Sequence, residues 1–177
     1  MRKIKLPLTI DPIFAANKGL EYMGFCASDQ FVRIAESVDS IESDINVFLL
    51  FEIDEKQRVF IKGHAHVDLK LTCQRCCSTF LYHLKTEYCF IPVTSGTYDD
   101  LSETYRGLYD YIEMNEEGEL NLVSMIEDEL ILSIPAFPVH EDNDCHLFFS
   151  KMRESIIQEQ AKKSHPFSVL SRLKKSN

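Results

Sequence analysis

The chain has 177 residues, and 45% of them are hydrophobic, which is enough to bury a core and excludes a chain that is disordered throughout. No stretch is apolar enough to cross a bilayer, and the first residues lack the long apolar region of a signal peptide, so we expect a cytoplasmic protein without membrane contact. The net charge of −9 excludes a uniformly basic surface, but that charge is unevenly distributed.

Acidic and basic residues occupy different parts of the chain. Residues 99–144 include 14 acidic side chains and a single basic one, Arg106, whereas residues 160–177 include five basic side chains and no acid. A basic segment attracts phosphate, and an acidic one repels it. The alternative for both segments is a solvated surface that serves solubility.

The N-terminal part predicts one short helix. Asp11 can cap a helix that begins at Pro12, where the missing N–H costs nothing, and that stops at Gly19. Residues 31–38 are compatible with either a helix or a strand.

The middle of the chain carries the clearest pattern, an alternation of apolar residues with a period of two. It runs through residues 47–53, 59–73 and 80–90, and a turn at 54–57 separates the first two segments. Three successive strands joined by short turns predict an antiparallel meander.

The C-terminal half predicts a loop, a strand and two helices. Residues 94–108 have no sustained pattern, and residues 109–113 form a further candidate strand. Asn121 can cap a helix over 122–134. A second helix is predicted over 151–162. The buried side of the first helix would consist of Leu122, Val123, Ile126, Leu130 and Ile134.

These elements predict an α+β fold, in which an antiparallel sheet of about four to six strands has helices packed on one side. Residues 1–150 would form the α+β domain, and residues 151–177 would add a C-terminal helix and a basic tail.

Two of the six cysteines form a Cys-x-x-Cys motif at the tip between two predicted strands, Cys73-Gln74-Arg75-Cys76. Two sulfurs three positions apart in a tight turn can bind one ion, and a structural zinc site needs two more ligands. His140 and Cys145 lie in a polar loop and would complete a Cys3His zinc site.

Other interpretations of the Cys-x-x-Cys motif remain open. Cys77, Cys89 and His146 are further ligand candidates by residue type. Cys73 and Cys76 would otherwise be ordinary reduced thiols that shape the turn. A redox motif is less suited to flanking strands, because such a motif is expected at a helix N-terminus, where the helix dipole lowers the thiol pKa.

No catalytic arrangement stands out. The six glycines are scattered, so there is no phosphate-binding loop, and no Gly-x-Ser-x-Gly occurs. Glu127, Asp128 and Glu129 cluster on a predicted helix, where solvation explains them without catalysis.

Four segments in order resemble the YceD family, and together they cover nearly the whole chain. They are residues 5–12 (KLPLTIDP), 73–76 (CQRC), 123–138 with the following Val139-His140 (VSMIEDELILSIPAFP), and 165–170 (HPFSVL). The resemblance implies a role in the synthesis, processing or stability of large-subunit (23S) ribosomal RNA, with no defined catalytic residues. More distant members carry a further cysteine pair in the C-terminal part, where this chain has His140 and Cys145.

The resemblance implies a non-enzymatic factor whose partners are ribosomal RNA or a large-subunit ribosomal protein. The acidic middle would bind a basic protein, and the basic ends would contact the RNA. Two alternatives stay open. One is an RNA-processing enzyme in which acids such as Glu127 or Glu129 converge on metal ions. The other is a structural zinc module with an unknown partner.

Overall fold

The computed structural model describes residues 4–94, 109–140, 145 and 152–153 of the chain. The first elements in chain order are β1 (Ile4–Lys5), β2 (Thr9–Ile10), α1 (Pro12–Asn17), β3 (Glu21–Cys26), a 3-10 turn (Ser28–Gln30), α2 (Val32–Ser37) and β4 (Ser40–Ile41). They are followed by β5 (Ile45–Ile53), β6 (Val59–Thr72), β7 (Thr79–Thr94), β8 (Asp110–Met114), β9 (Leu120–Asn121) and α3 (Leu122–Ser133). No helix in these ranges is long and apolar enough to span a membrane.

The predicted meander is confirmed. β5, β6 and β7 are successive antiparallel neighbours, with Val47 opposite Ala65 and Ala65 opposite Thr86. Their alternation places Val47, Ala65 and Leu84 on a buried face. Lys62 and His64 lie on the opposite, exposed face. The period-two pattern therefore separates a core face from an open face.

The sheet extends beyond the meander in ways the pattern does not predict. Its order is β1-β3-β5-β6-β7-β8, and β4 pairs with β6 to give seven strands. β1 is parallel to β3, and β8 is parallel to β7. Tight turns join only antiparallel strands, so parallel pairs depend on contacts distant in sequence. A separate two-stranded sheet pairs β2 with β9.

Helices α1 and α3 form where their capping residues predict. The carboxylate of Asp11 accepts the backbone N–H groups of Ile13 and Phe14 at 2.9 Å each, and α1 ends before Gly19, whose φ is 58°. The side chain of Asn121 accepts the N–H of Ser124 at 3.0 Å. The ambiguous stretch 31–38 contains α2.

The buried side of α3 differs partly from the prediction. Leu122, Ile126 and Leu130 are buried, as expected. Val123 and Ile134 are half-buried, whereas Met125 and Glu127 are buried.

The described helices pack on one face of the sheet, as predicted. α1 contacts β5 and β6, and α3 contacts β7. On this face Gly63 lies under the ring of Tyr88. A Cβ atom there would lie 2.6 Å from that ring and 2.5 Å from the carbonyl oxygen of Phe48, so the close approach requires glycine.

Some predictions fall outside the described residues. These are most of the loop 94–108, the segment 165–170 and most of the helix 151–162, of which Met152 and Arg153 are helical. The predicted strand 109–113 is β8, displaced by one residue. The domain boundary at residue 150 stays a prediction.

Candidate metal centre

The turn between β6 and β7 presents the two cysteines of the Cys-x-x-Cys motif. The N–H of Cys73 donates to the carbonyl oxygen of Ser78, and the N–H of Cys77 donates to that of Cys73, both at 2.9 Å. Cys77 adopts a φ of 59°, and its side chain is exposed. The tight turn directs Cys73 and Cys76 inward, where both are buried.

The segment after α3 contributes the other two candidate ligands, His140 and Cys145. The N–H of Gln74 donates to the carbonyl oxygen of Pro138 at 2.9 Å, which places the residues after Pro138 beside the turn. The ring of His140 lies 5.4 Å from that of Phe80, centroid to centroid. Cys145 is 2% exposed and joins Cys73 and Cys76 in a small buried cluster.

All four predicted ligands come together. One ligand atom from each of Cys73, Cys76, His140 and Cys145 lies within 4.8 Å of the other three, so the group could hold a metal ion. The spacing at the hairpin tip predicted the first pair. The second pair is 64 to 72 residues further along the chain and meets the first only in the fold.

Three of the ligand–ligand distances are close to those around a tetrahedral zinc ion. With Zn–S bonds of about 2.3 Å and Zn–N bonds of about 2.0 Å, two sulfurs lie about 3.8 Å apart and a sulfur and a nitrogen about 3.5 Å apart. The Sγ atoms of Cys73 and Cys145 are 3.7 Å apart. Nε2 of His140 lies 3.5 Å from Sγ of Cys145 and 3.7 Å from Sγ of Cys76.

Nε2 is the imidazole nitrogen suited to the ion. Nδ1 is farther from both sulfurs, at 3.9 Å in each case. Three thiolates and one imidazole form a donor set typical of structural zinc sites.

Hydrogen bonds favour a thiolate at Cys73. Burial alone would raise the pKa of this thiol, but hydrogen bonds from the backbone at His140, Arg75 and Cys76 outweigh it and lower the pKa from 9.0 to about 5. Backbone N–H groups directed at a sulfur stabilise its charged form, which is the form that binds a metal.

Arg75 contacts the candidate site in a way that the motif did not reveal by itself. Its Nε donates to Sγ of Cys145 at 3.0 Å, and its Nη2 donates to the carbonyl oxygen of His140 at 3.1 Å. Burial raises the pKa of Cys145, and the Arg75 guanidinium opposes that rise. Arg75 therefore links the two halves of the site and places a positive charge beside the sulfurs.

The other cysteine candidates lie elsewhere. Cys77 is exposed beside the cluster, and Cys89 is half-buried on β7, where it pairs with Lys62 of β6. Cys26 is a buried core residue, as expected of a small apolar side chain. His146 falls outside the described residues.

The carboxylates of α3 do not form the solvated cluster that the sequence predicted. Glu127 is 5% exposed and accepts hydrogen bonds from Arg33 and Ile34 of α2. Asp128 is exposed and pairs with Arg33 at 2.6 Å. Glu127 is buried because it completes the N-terminus of another helix, which its position on α3 could not indicate.

Comparisons with known proteins identify the family of this chain. Residues 61–174 match the family described as "Large ribosomal RNA subunit accumulation protein YceD". A protein of that name from Haemophilus influenzae is 41% identical over 176 residues, which cover 98% of this chain and 99% of the relative. No solved structure matches the chain. Since the match spans both chains almost end to end, this chain belongs to the YceD family of large ribosomal RNA subunit accumulation proteins.

Proposed function

We propose that this chain supports the accumulation of large-subunit (23S) ribosomal RNA as a binding factor rather than as a catalyst. The observation that carries this proposal is membership of a family named for that accumulation, over nearly the full length of the chain. The protein would carry out this function in the cytoplasm, where ribosomal subunits are assembled.

The metal centre supports a structural role. In this proposal Cys73, Cys76, His140 and Cys145 bind one zinc ion, and that ion joins the β6–β7 turn to the segment after α3. Four protein ligands fill a tetrahedral site, so no position remains for a substrate or a catalytic water. A closed centre of this kind stabilises a local structure, because the ion replaces the large core that a short turn lacks.

The charge distribution supports binding to ribosomal components. The acidic residues of the segment 99–144 would attract a basic large-subunit protein, and the basic segment 160–177 would attract RNA phosphate. Both attractions weaken as salt screens the charges.

The function is tested by deleting the gene in its host and measuring the ratio of 23S to 16S ribosomal RNA. We expect the ratio to fall and a plasmid copy of the wild-type gene to restore it. Cys145→Ser should restore it poorly, whereas Cys77→Ser should restore it fully because Cys77 is outside the ligand set. An unchanged ratio in the deletion strain would refute the proposed function.

An RNA-processing enzyme is the second candidate function, and the α3 acids give it little support. Glu127 is engaged by two backbone N–H groups and the guanidinium of Arg33, so it has little capacity left for a metal ion. The direct test is incubation of the purified protein with precursor ribosomal RNA and magnesium. Specific cleavage that is lost in Glu129→Gln would establish the enzyme and overturn the binding factor.

A further inference from the structure

A groove of about 510 Å³ lies beside the metal centre. It is bordered by the end of α2, the end of β6 and the segment that follows α3. Its apolar lining is contributed by Val38, Leu71, Ile131, Ile134, Pro135 and Pro138. Phe137 is 80% exposed, and its neighbours in the sequence, Ala136 and Pro138, both line the groove. An exposed aromatic ring beside an apolar groove is typical of a protein interface.

Among the described residues that line it, the groove has acidic side chains and no cation. Glu36 and Asp39 contribute carboxylates, both on exposed residues, and none of its lining residues is Lys, Arg or His. Arg33, the basic residue of α2, is directed to Glu127 and Asp128 instead. The groove therefore combines an apolar floor with a negative rim. This combination attracts a positively charged segment and repels phosphate.

The candidate metal ligands belong to two segments that also form two walls of the groove. Leu71, Thr72 and Gln74 belong to the wall that continues into Cys73 and Cys76. Pro135, Ala136 and Pro138 belong to the wall that continues into His140. The hydrogen bond from Gln74 to Pro138 joins the same two walls. An ion bound to ligands from both sides would hold the groove at one width.

We propose that this groove docks a short basic segment of a protein partner. One aliphatic or aromatic side chain of the segment enters the apolar floor, and flanking lysines or arginines lie beside Glu36 and Asp39. This inference rests on the proposed function and makes it more specific, since the ribosomal partner at this surface is a protein and not the RNA. The carboxylates contribute more to orientation and partner choice than to affinity, because they remain in contact with water.

The test is a titration of the full-length, zinc-loaded protein into a fluorescein-labelled peptide that has a Phe-Leu pair between two Lys-Lys pairs. We expect saturable binding that weakens about three- to fivefold in Glu36→Lys, because one substitution replaces attraction by repulsion at the solvent-exposed rim. A peptide with Ser-Ser in place of Phe-Leu should lose binding to a similar extent. Glu55→Lys makes the same charge change in the β5–β6 turn, away from the groove, and should bind as the wild type does.

Two results overturn the proposal. One is equal binding by Glu36→Lys and wild type, and the other is equal binding by the two peptides. The titration uses purified protein, so its failure leaves the assay of 23S ribosomal RNA unaffected. An unchanged 23S level after deletion likewise leaves the titration unaffected.

Discussion

Glu127 of α3 caps the N-terminus of α2, although the two helices are about 90 residues apart in the sequence. Its Oε1 accepts the backbone N–H groups of Arg33 at 2.7 Å and Ile34 at 3.1 Å, and its Oε2 accepts Nε of Arg33 at 2.9 Å. The residue at the usual capping position is Phe31, which makes no side-chain cap and is fully buried. A distant carboxylate therefore takes the place of the Ser, Thr or Asp that would ordinarily satisfy these donors.

Glu127→Ala should lower the free energy of unfolding by about 2–3 kcal/mol, because it leaves two backbone donors and Nε of Arg33 without their acceptor. Asp128→Ala is the control. It removes the exposed partner of the same arginine and should cost no more than about 0.5 kcal/mol. Urea denaturation of both variants measures the difference. Equal losses would show that Glu127 contributes only a surface ion pair.

The sequence reveals those features whose causes are local. The period of two in 59–73 follows from one strand with one buried face, and Asp11 and Asn121 identify helix starts by chemistry within three residues. β3 lacks such a signal because it is a short strand whose Met23 is 66% exposed. The burial of Glu127 and the parallel pairs have causes elsewhere in the chain, so local patterns miss them.

In the candidate site, too, some residues are indicated by local sequence patterns and others only by contacts between distant segments. Cys73 and Cys76 are indicated by their spacing, and His140 and Cys145 by residue type and by their place after Pro138. Arg75 lies inside the motif, but its bonds to Cys145 and His140 exist only because the two segments meet. The sequence therefore predicts ligands more readily than the residue that links them.

Tyr88→Phe should raise the free energy of unfolding by about 1 kcal/mol. The hydroxyl of Tyr88 is buried and has no hydrogen-bond partner among the described residues. Folding therefore removes it from water without compensation, and that loss disappears with the oxygen. Tyr82→Phe is a matched control, because Tyr82 is only partly buried, and it should change stability little. A clear loss of stability in Tyr88→Phe would reveal a partner for the hydroxyl.

Stability should fall as the pH rises from 9 to 11, in part because of Cys26. Burial raises the pKa of this thiol from 9.0 to about 11, and the charge of Lys5 opposes the rise. The unfolded chain therefore loses the proton first, so the contribution is intact below pH 9 and is lost toward pH 11.

The contribution of Cys26 is measured by comparing how much the free energy of unfolding falls with pH in the wild type and in Cys26→Ala. Between pH 8.5 and 10.5 the wild type should lose about 2 kcal/mol more than Cys26→Ala does. Burial is the largest cause of the raised pKa of Tyr88 and is present in both proteins, so most of the Tyr88 contribution cancels in the comparison. Parallel pH profiles would contradict the role of the thiol.

Arg75→Gln should weaken zinc binding about tenfold or more. Three thiolates exceed the charge of one Zn²⁺ ion by one unit, and the guanidinium of Arg75 lies against one of the sulfurs. Arg75→Lys keeps the charge but loses the pair of hydrogen bonds, so its zinc affinity should lie between those of the wild type and Arg75→Gln. Competition with a chromogenic chelator measures the affinity. Lys85→Gln removes the same charge from the exposed face of β7 and should leave the affinity unchanged.

The most direct test of the account is the zinc content of protein purified without chelator, measured by elemental analysis. We predict one zinc ion per chain in the wild type and in Cys77→Ser, and almost none in Cys145→Ser. A wild type without zinc, or a Cys145→Ser variant that keeps its full content, would contradict the metal centre.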